Sequence, residues 1–176
     1  MIRKAVKQDA AAIAQTYEAL LLHEMVHGSN SNWKMHVYPT IEVPENRIPE
    51  GSMYVLEECG EICASMVLNQ EQAEEYAAVD WLYPALPQEV LVIHTLCIPP
   101  QKAGHGYGAR MVAFAKEFAE ESGCRVIRID TYMHNEPAKK LYQKHGFRIT
   151  GYGEMLLQGR IQEEQVYLEY QIPVKK

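Results

Sequence analysis

The chain has 176 residues, a formal net charge of −6 at pH 7 and a hydrophobic fraction of 47%, which suits a single folded domain, residues 1–176, with a full core. The acidic balance disfavours a nucleic-acid partner, and no apolar run approaches the roughly 18 residues of a membrane span. Because the N-terminal segment also lacks the apolar stretch of a secretion signal, we expect a cytoplasmic protein with free thiols at its cysteines.

The first half of the chain predicts a strand, a helix and a hairpin. Residues 2–6 favour a short strand, and Asp9 is expected to cap the helix that follows. Four apolar side chains recur on one face of that helix: Ile13, Tyr17, Leu20 and Leu21. Residues 33–51 mix aromatic residues with prolines and favour short or irregular pieces, and residues 52–70 favour two strands that turn at Gly60.

The second half alternates strands and helices after a polar connection over residues 71–88. The apolar run at residues 90–98 predicts a central strand that is covered on both faces. Beyond it the sequence predicts, in order, a helix over 109–122, a strand over 124–132, a helix from Asn135 to Gly146, and strands over 147–156 and 163–172. This order of elements indicates an α/β domain built on one mixed sheet.

Three glycines at alternate positions, Gly104, Gly106 and Gly108, lie between the central strand and the next helix. Backbone N–H groups at a helix N-terminus are unpaired and carry partial positive charge, and residues without side chains let an anion approach them. The stretch therefore predicts an anion site, for which three phosphate-containing ligands compete.

Two of the three ligands fit poorly. Gly104, Gly106 and Ala109 match the G-x-G-x-x-A pattern of dinucleotide folds, and Asp130 ends the next strand, where an acid would bind ribose. The segment 99–103 separates the strand from the glycines, however, and only one strand–helix–strand unit follows. A nucleoside triphosphate is set aside because no Lys–Ser/Thr pair follows the glycines, as a P-loop requires.

The third ligand, coenzyme A, fits two spaced patterns. Gln101, Gly104 and Gly106 match Q/R-x-x-G-x-G/A, and the chain later resembles N-x-x-A-x-x-L-Y-x-x-x-G-F at Asn135, Ala138, Leu141, Tyr142, Gly146 and Phe147. The sequence thus resembles the GNAT superfamily of N-acetyltransferases, most densely over residues 90–147. This resemblance implies the acyl-CoA N-acyltransferase fold, a single domain with a central mixed, mostly antiparallel sheet flanked by helices, and acetyl-CoA as co-substrate without a metal.

The resemblance also implies roles for individual residues. Backbone N–H groups of the glycine stretch would hold the pyrophosphate, the end of the central strand would pair with the pantetheine arm and polarise the thioester, and Tyr142 would protonate the departing thiolate. Cys97 is not expected to be a nucleophile, because no base is placed to activate it. The expected cofactor contacts are Leu96, Cys97, Ile98, Gln101, Lys102, Ala103, Gly104, His105, Gly106, Tyr107, Gly108, Ala109 and Asn135.

The expected catalytic base is His94, because an ordinary histidine pKa of about 6.5 suits the acceptance of a proton from an amine. Strict alternation along the strand would place His94 on the same face of the sheet as Leu96. Alternative bases are Glu75, Asp80 and Asp130. The acceptor is expected to be a primary amine on a small molecule or a peptide, in contact with Trp33, Tyr38 and Asn69.

A further motif favours a different enzyme class. His23, Glu24 and His27 satisfy H-E-x-x-H, the zinc-binding pattern of metallopeptidases, on a predicted helix. The extended form of the pattern fails, because Asn30 and Trp33 stand where Gly and His are needed. A metallopeptidase and a non-catalytic coenzyme A sensor stay open as alternatives, and the resemblance leaves a homodimer open as well.

Overall fold

The computed structural model describes residues 1–173, which contain seven strands and four α-helices. The strands are β1 (Ile2–Lys4), β2 (Met53–Glu58), β3 (Glu61–Asn69), β4 (Val90–Cys97), β5 (Val126–Tyr132), β6 (Arg148–Leu157) and β7 (Ile161–Gln171). The helices are α1 (Ala10–His27), α2 (Glu42–Arg47), α3 (Tyr107–Glu121) and α4 (Glu136–Lys144). None of these helices is both long enough and apolar enough to cross a membrane.

All seven strands join one open sheet in the order β1-β2-β3-β4-β5-β7-β6. The neighbours β4 and β5 are parallel, with α3 crossing between them, and the remaining pairs are antiparallel. The central position of β4 follows from its apolar sequence, since side chains on both of its faces enter the core. The predicted fold, a mixed and mostly antiparallel sheet flanked by helices, is confirmed.

The two faces of the sheet pack against different helices. On one face, Ile13 and Tyr17 of α1 pack on Val55 and Val67 of the β2–β3 hairpin. On the other face, α3 supplies a fully buried stripe at Met111, Val112, Ala115 and Ala119. Because each large apolar side chain that leaves water contributes about 1.5–3 kcal/mol, helices on both sides hold the sheet in place.

The connection between β3 and β4 packs more closely on the sheet than its polar composition predicts. Tyr76 and Trp81 meet Tyr167 of β7 edge-on, with ring centroids 5.7 and 6.1 Å away. The guanidinium of Arg128 lies 4.2 Å from the centroid of the Trp81 ring, and its Nε donates to the buried Glu169 carboxylate at 3.1 Å. These contacts fix the connection in front of β5 and β7.

The start of α1 differs from the sequence prediction. A 3-10 turn at Lys7–Asp9 precedes the helix, and the Asp9 carboxylate accepts hydrogen bonds from the Val6 N–H at 2.8 Å and from Arg3 at 2.7 Å. Asp9 occupies the N-cap position of α1, as predicted, but its side chain makes no capping hydrogen bond to the helix. The Asp9 carboxylate pairs with Arg3, which also binds Glu57 near the end of β2. This ion pair turns the carboxylate away from the N–H groups of α1.

Candidate active site

The strands β4 and β5 separate part-way along their length. In the described chain they are joined by three residue pairs: Val90 with Val126, Leu91 with Ile127, and Val92 with Arg128. Beyond these pairs the strands diverge, and the edge of β4 over residues 93–97 has no strand partner on that side. We call this opening the fork. Unpaired N–H and C=O groups along a strand edge can bond an extended ligand as another strand would.

A bulge interrupts β4 beside the fork. Ser65 of β3 pairs with Cys97 and Val67 pairs with His94, so β4 has one residue more than β3 between these pairs. The extra residue allows Thr95 a φ of 50°, in the left-handed region that β-branched residues rarely adopt. Backbone strain of this kind persists where the surrounding structure enforces it, and it is concentrated at functional sites.

The bulge changes which side chains share a face of the sheet. His94 lies in the wall of a cleft in front of the sheet, whereas Leu96 packs into the core under α3 and Cys97 into the core under α1. The expectation that His94 and Leu96 share a face is therefore wrong, because it assumed strict alternation. The Thr95 hydroxyl is hydrogen-bonded to the Tyr38 hydroxyl.

The glycine stretch forms a loop that leads from β4 into α3. Gly104 and Gly106 have φ values of 77° and 76°, which glycine adopts without strain, and a Cβ on either would meet no atom within 4 Å. The first bond of α3 runs from the Arg110 N–H to Gly106 O at 3.1 Å, so the N–H groups of residues 107–109 have no carbonyl partner within the helix. Together with the positive end of the helix dipole, they form an anion site.

Two side chains of this loop, Tyr107 and Lys102, have partners elsewhere in the protein. Tyr107 is buried, and its hydroxyl donates to Glu58 at 2.7 Å. Lys102, which was expected to face the ligand, forms an ion pair with Glu61 at the start of β3. The positive potential of the loop therefore comes from its N–H groups and not from a lysine.

Three further loop residues have structural positions. Gln101 lies in the 3-10 turn Pro100–Lys102 that begins the loop, and His105 Nδ1 donates to the carbonyl of Ala103 at 2.9 Å. A Cβ at Gly108 would lie 3.0 Å from Leu141 and 3.1 Å from Ile98. This glycine therefore lets α3 approach α4 and the end of β4, a packing role that its place in the glycine pattern does not reveal.

Tyr142 of α4 lies in the core that covers β4 and β5. Its side chain is 2% exposed and packs on Phe147 with ring centroids 5.5 Å apart. Burial raises the pKa of Tyr142 well above its ordinary value, and the negative charge of Asp130 adds to this effect. The phenol is therefore protonated throughout the physiological pH range.

A cleft of about 660 Å³ opens in front of the sheet where β4 and β5 diverge. Its wall includes residues 93–95 of β4 and 130–132 of β5, together with parts of the α1–α2 segment, the β3–β4 connection and the β6–β7 hairpin. Trp33 and Tyr38 lie in this wall, edge to face with ring centroids 6.0 Å apart. Asn135 lies there too, with its Oδ1 accepting an N–H of α4 at 3.3 Å as a helix cap.

His94 lines the cleft and Asn69 lies behind it. His94 Nε2 is 2.8 Å from Asn69 Oδ1, which also accepts the Glu71 N–H at 3.1 Å, so Nε2 carries the proton of the neutral imidazole. Burial, with the positive charge of Arg47 adding to it, lowers the pKa of His94 to about 4. Asn69, expected to contact the acceptor, is absent from the cleft wall of the described chain, and its Oδ1 positions the His94 ring.

Two of the three alternative bases reach the cleft. Asp130 accepts a hydrogen bond from the Tyr76 hydroxyl at 2.6 Å, and burial raises the pKa of this carboxyl above its ordinary value. Glu75 also lines the cleft, whereas Asp80 is exposed and lies outside the wall.

Cys97 is enclosed by the core. It is 0% exposed, and burial raises the pKa of its thiol to about 12. Its Sγ faces the carbonyl of Thr16 at 3.8 Å. A thiol that keeps its proton at neutral pH is a poor nucleophile, which is consistent with the expectation that Cys97 does not attack the substrate.

The sequence model of the Acetyltransferase (GNAT) family matches residues 18–147. The chain belongs to this family. Two Bacillus subtilis (strain 168) relatives, the uncharacterized N-acetyltransferases YhfO and YycN, are 26% identical over 87 residues and 30% identical over 90 residues. These matches cover 47% and 49% of this chain, and 58% and 54% of the relatives, so the chain spans a little more than half the length of each.

Solved GNAT structures share the whole fold. The GNAT-family acetyltransferase of Streptococcus agalactiae 2603 has a TM-score of 0.79 at 21% identity, covering 99% of this chain and 96% of that one. The Salmonella typhimurium protein yncA, solved with acetyl-CoA, has a TM-score of 0.69 at 18% identity and covers 99% of this chain and 95% of its own. These likenesses establish that this GNAT protein has the fold of the family over its full described length.

The H-E-x-x-H motif of this GNAT protein fixes a loop. Glu24 accepts the N–H groups of Asn30 at 3.1 Å and Ser31 at 3.0 Å, as well as the Ser31 hydroxyl at 2.6 Å. The rings of His23 and His27 stack with centroids 4.1 Å apart, and His27 Nδ1 donates to His23 O at 2.9 Å. Within residues 1–173, no group of three or more His, Cys, Asp or Glu is arranged to hold a metal. The metallopeptidase alternative is not favoured.

Sequence reasoning missed the polar residues that other elements bring to the cleft. Arg47 of α2 pairs with Glu50 and with Glu71, each at 2.8 Å, and β7 contributes Glu163 and Gln165 to the wall. Polar residues alternate along β7, and this pattern could have indicated that Glu163 and Gln165 line a cleft. The same pattern is equally typical of a strand that faces solvent.

Proposed function

We propose that this GNAT protein transfers an acetyl group from acetyl-CoA to a primary amine bound in the cleft. The observation that carries the proposal is the fork, because the diverging halves of β4 and β5 connect the glycine loop, which follows β4 directly, to the cleft wall. A donor held at the loop and an acceptor held in the cleft would therefore meet at one place.

The chain provides a fitting place for the donor. When bound, acetyl-CoA supplies the acetyl group as a thioester. The N–H groups of residues 104–109 suit its pyrophosphate, because Gly104 and Gly106 leave the approach to the backbone open. The free end of β4 at Leu96 and Cys97, with Ile98 directly after it, suits the amides of the pantetheine arm. Asn135 at the start of α4 is a further contact on the β5 side.

The transfer forms a C–N bond to the acetyl carbon and breaks its C–S bond, while one proton passes from the nitrogen and one is taken up by the sulfur. Backbone N–H groups on the free edge of β4 are fixed by the sheet and can stabilise the negative charge that develops on the carbonyl oxygen. Because these dipoles are already oriented, little reorganisation is needed when the charge develops.

Tyr142 is the proposed proton donor to the thiolate. Its phenol is held under β4 and β5 by Phe147 and keeps its proton because of its raised pKa. A proton donor of this kind contributes typically about 10²–10⁴-fold to a rate. Such a phenol can donate its proton as the C–S bond breaks and negative charge develops on the sulfur.

Asp130 is the proposed acceptor of the amine proton, directly or through water. Its burial makes it a stronger base than an ordinary aspartate. His94, expected in this role from the sequence, is a weaker base than an ordinary histidine because its pKa falls to about 4. The neutral His94 ring is therefore better suited to shape the cleft and to accept a hydrogen bond.

The test is a thiol-release assay on the purified protein with acetyl-CoA and a panel of primary amines, with mass spectrometry to identify the acetylated product. Cys59 is exposed, so its reaction with the thiol reagent is measured in a control without acetyl-CoA and subtracted. Release of coenzyme A that depends on an amine is expected. Binding of acetyl-CoA without transfer to any amine would contradict catalysis and would indicate the sensor alternative.

A further inference from the structure

The cleft carries an excess of negative charge. Its two arginines are already paired, Arg47 with Glu50 and Glu71, and Arg160 with Glu42 at 3.4 Å. Three other carboxylates of the wall have no Lys or Arg within ion-pair distance in the described chain: Glu75, Asp130 and Glu163. The wall therefore attracts a cationic acceptor more than a neutral one.

A second observation points to a ligand with N–H donors. Gln165 is 1% exposed and forms part of the cleft wall. Its Nε2 donates to Glu163, but its carbonyl Oε1 has no hydrogen-bond partner among the described residues. A buried amide oxygen without a donor is unfavourable. An ammonium group has three donors and no acceptor, so it can satisfy Gln165 and neutralise Glu163 together.

Glu163 and Gln165 lie at a distance from the proposed base. Asp130 pairs with Tyr167 in the β5–β7 ladder, and Tyr132 pairs with Gln165, so Asp130 and Gln165 share a face as diagonal neighbours, about 7–8 Å apart. The backbone of Glu163 is a further step along β7, but its carboxylate reaches back to Gln165 Nε2, so this anionic end of the cleft also lies roughly 7–8 Å from Asp130. A molecule that contacts both ends must be elongated.

The paired arginines also bear on the acceptor class. A free amino acid carries a carboxylate, and guanidinium groups are the usual partners of carboxylates in proteins. Here the guanidinium groups of Arg47 and Arg160 are bonded to glutamates. The wall thus disfavours a zwitterionic acceptor and favours one with positive charge at both ends.

On the basis of the acetyltransfer proposed above, we infer that the acceptor is an alkyl diamine or polyamine. One nitrogen lies at the fork near Asp130 and is acetylated. A second nitrogen, as an ammonium, donates to Gln165 Oε1 and pairs with Glu163. The charged end fixes the position of the reacting end, so the specificity comes from a part of the substrate that does not react.

The test compares kcat/KM for 1,4-diaminobutane and spermidine with kcat/KM for butylamine, which has one ammonium group, and for 4-aminobutyrate, which is zwitterionic. We expect kcat/KM for 1,4-diaminobutane and for spermidine to exceed kcat/KM for butylamine by about tenfold or more. This ratio is the equivalent of one charge-assisted contact. In Glu163→Gln the ratio of the diamine value to the butylamine value should fall by about tenfold. The matched control is Glu164→Gln, which removes the same charge from the exposed face of the same strand.

The outcomes separate this inference from acetyltransfer itself. Equal kcat/KM for diamines and butylamine, or an unchanged ratio in Glu163→Gln, would overturn the inference and leave the enzymatic proposal standing. If no acetyl transfer is detected, calorimetric titration of the protein with 1,4-diaminobutane in the presence of coenzyme A tests whether the diamine binds. Binding that needs Glu163, without any transfer, would support the diamine site at Glu163 and Gln165 and would contradict catalysis. If Glu163→Gln unfolds, Gln165→Met gives the same comparison, because it removes the unpaired carbonyl without changing charge.

Discussion

Replacing Gly106 with glutamate tests the anion site most directly. Gly106 has a φ of 76°, so any side chain there meets left-handed strain of about 1–2 kcal/mol. This strain lowers Tm by about 2–8 °C in a domain of this size. The added carboxylate also faces the pyrophosphate. At a separation of about 6 Å and an effective dielectric constant of about 20, two unit charges repel by ~2.8 kcal/mol, which corresponds to roughly a hundredfold in affinity.

The control for this variant lies at the other end of the same helix. Gly123 has a φ of 74°, and a Cβ there would also meet no atom within 4 Å, so Gly123→Glu carries the same strain and the same charge. A negative charge is favourable at a helix N-terminus and unfavourable at its C-terminus, so Gly123→Glu should be the less stable of the two. We expect it nonetheless to bind acetyl-CoA normally by calorimetry, while Gly106→Glu binds about a hundredfold more weakly. Equal affinities would refute the placement of the pyrophosphate.

Two other predictions concern Tyr142 and His94. Tyr142→Phe should lower kcat by about 10²-fold or more and change the KM for acetyl-CoA little, because the hydroxyl acts on the thiolate and not on binding; steady-state kinetics with a saturating amine measures this, and an unchanged kcat would exclude the proton-donor role. The pKa of His94, about 4 in the folded protein, lies below the ordinary 6.5, so the unfolded chain binds this proton first as the pH falls. Stability from this residue is complete above pH 6.5 and is lost towards pH 4, by up to about 3 kcal/mol. Urea unfolding should thus show a smaller loss between pH 7 and pH 4 for His94→Gln than for the parent, and equal losses would contradict the burial argument.

Features fixed by neighbours in sequence were predictable. The uninterrupted apolar run over residues 90–98 predicts a strand with both faces covered, and β4 has the central place. The glycine loop followed from residue type alone, since glycine adopts the positive φ of Gly104 and Gly106 without strain. In both cases the responsible interaction spans a few residues, and the sequence contains the whole cause.

Features fixed by pairing across the sheet were not predictable. The bulge at Thr95 depends on the register between β3 and β4. Without the bulge, the side chains of His94 and Leu96 would lie on the same face of the sheet. Gln165 and Glu163 reach the cleft because β7 pairs with β5, from which it is separated by α4 and β6. Likewise, the pairing of Lys102 with Glu61 joins segments far apart in the chain. A single sequence carries no direct record of such long-range contacts.

The short ladder between β4 and β5 divides the sheet into two parts, β1–β4 and β5–β7, that are joined mainly by three residue pairs and the helices packed behind them. A ligand bound between the two parts can form the hydrogen bonds that the strands lack there, and so connect the two parts into one continuous sheet. Empty and loaded molecules should therefore differ in mechanical stiffness, with amide exchange slowed chiefly along the inner borders of both parts. Resistance to heat and proteolysis would then rise and fall with the supply of the ligand that binds there.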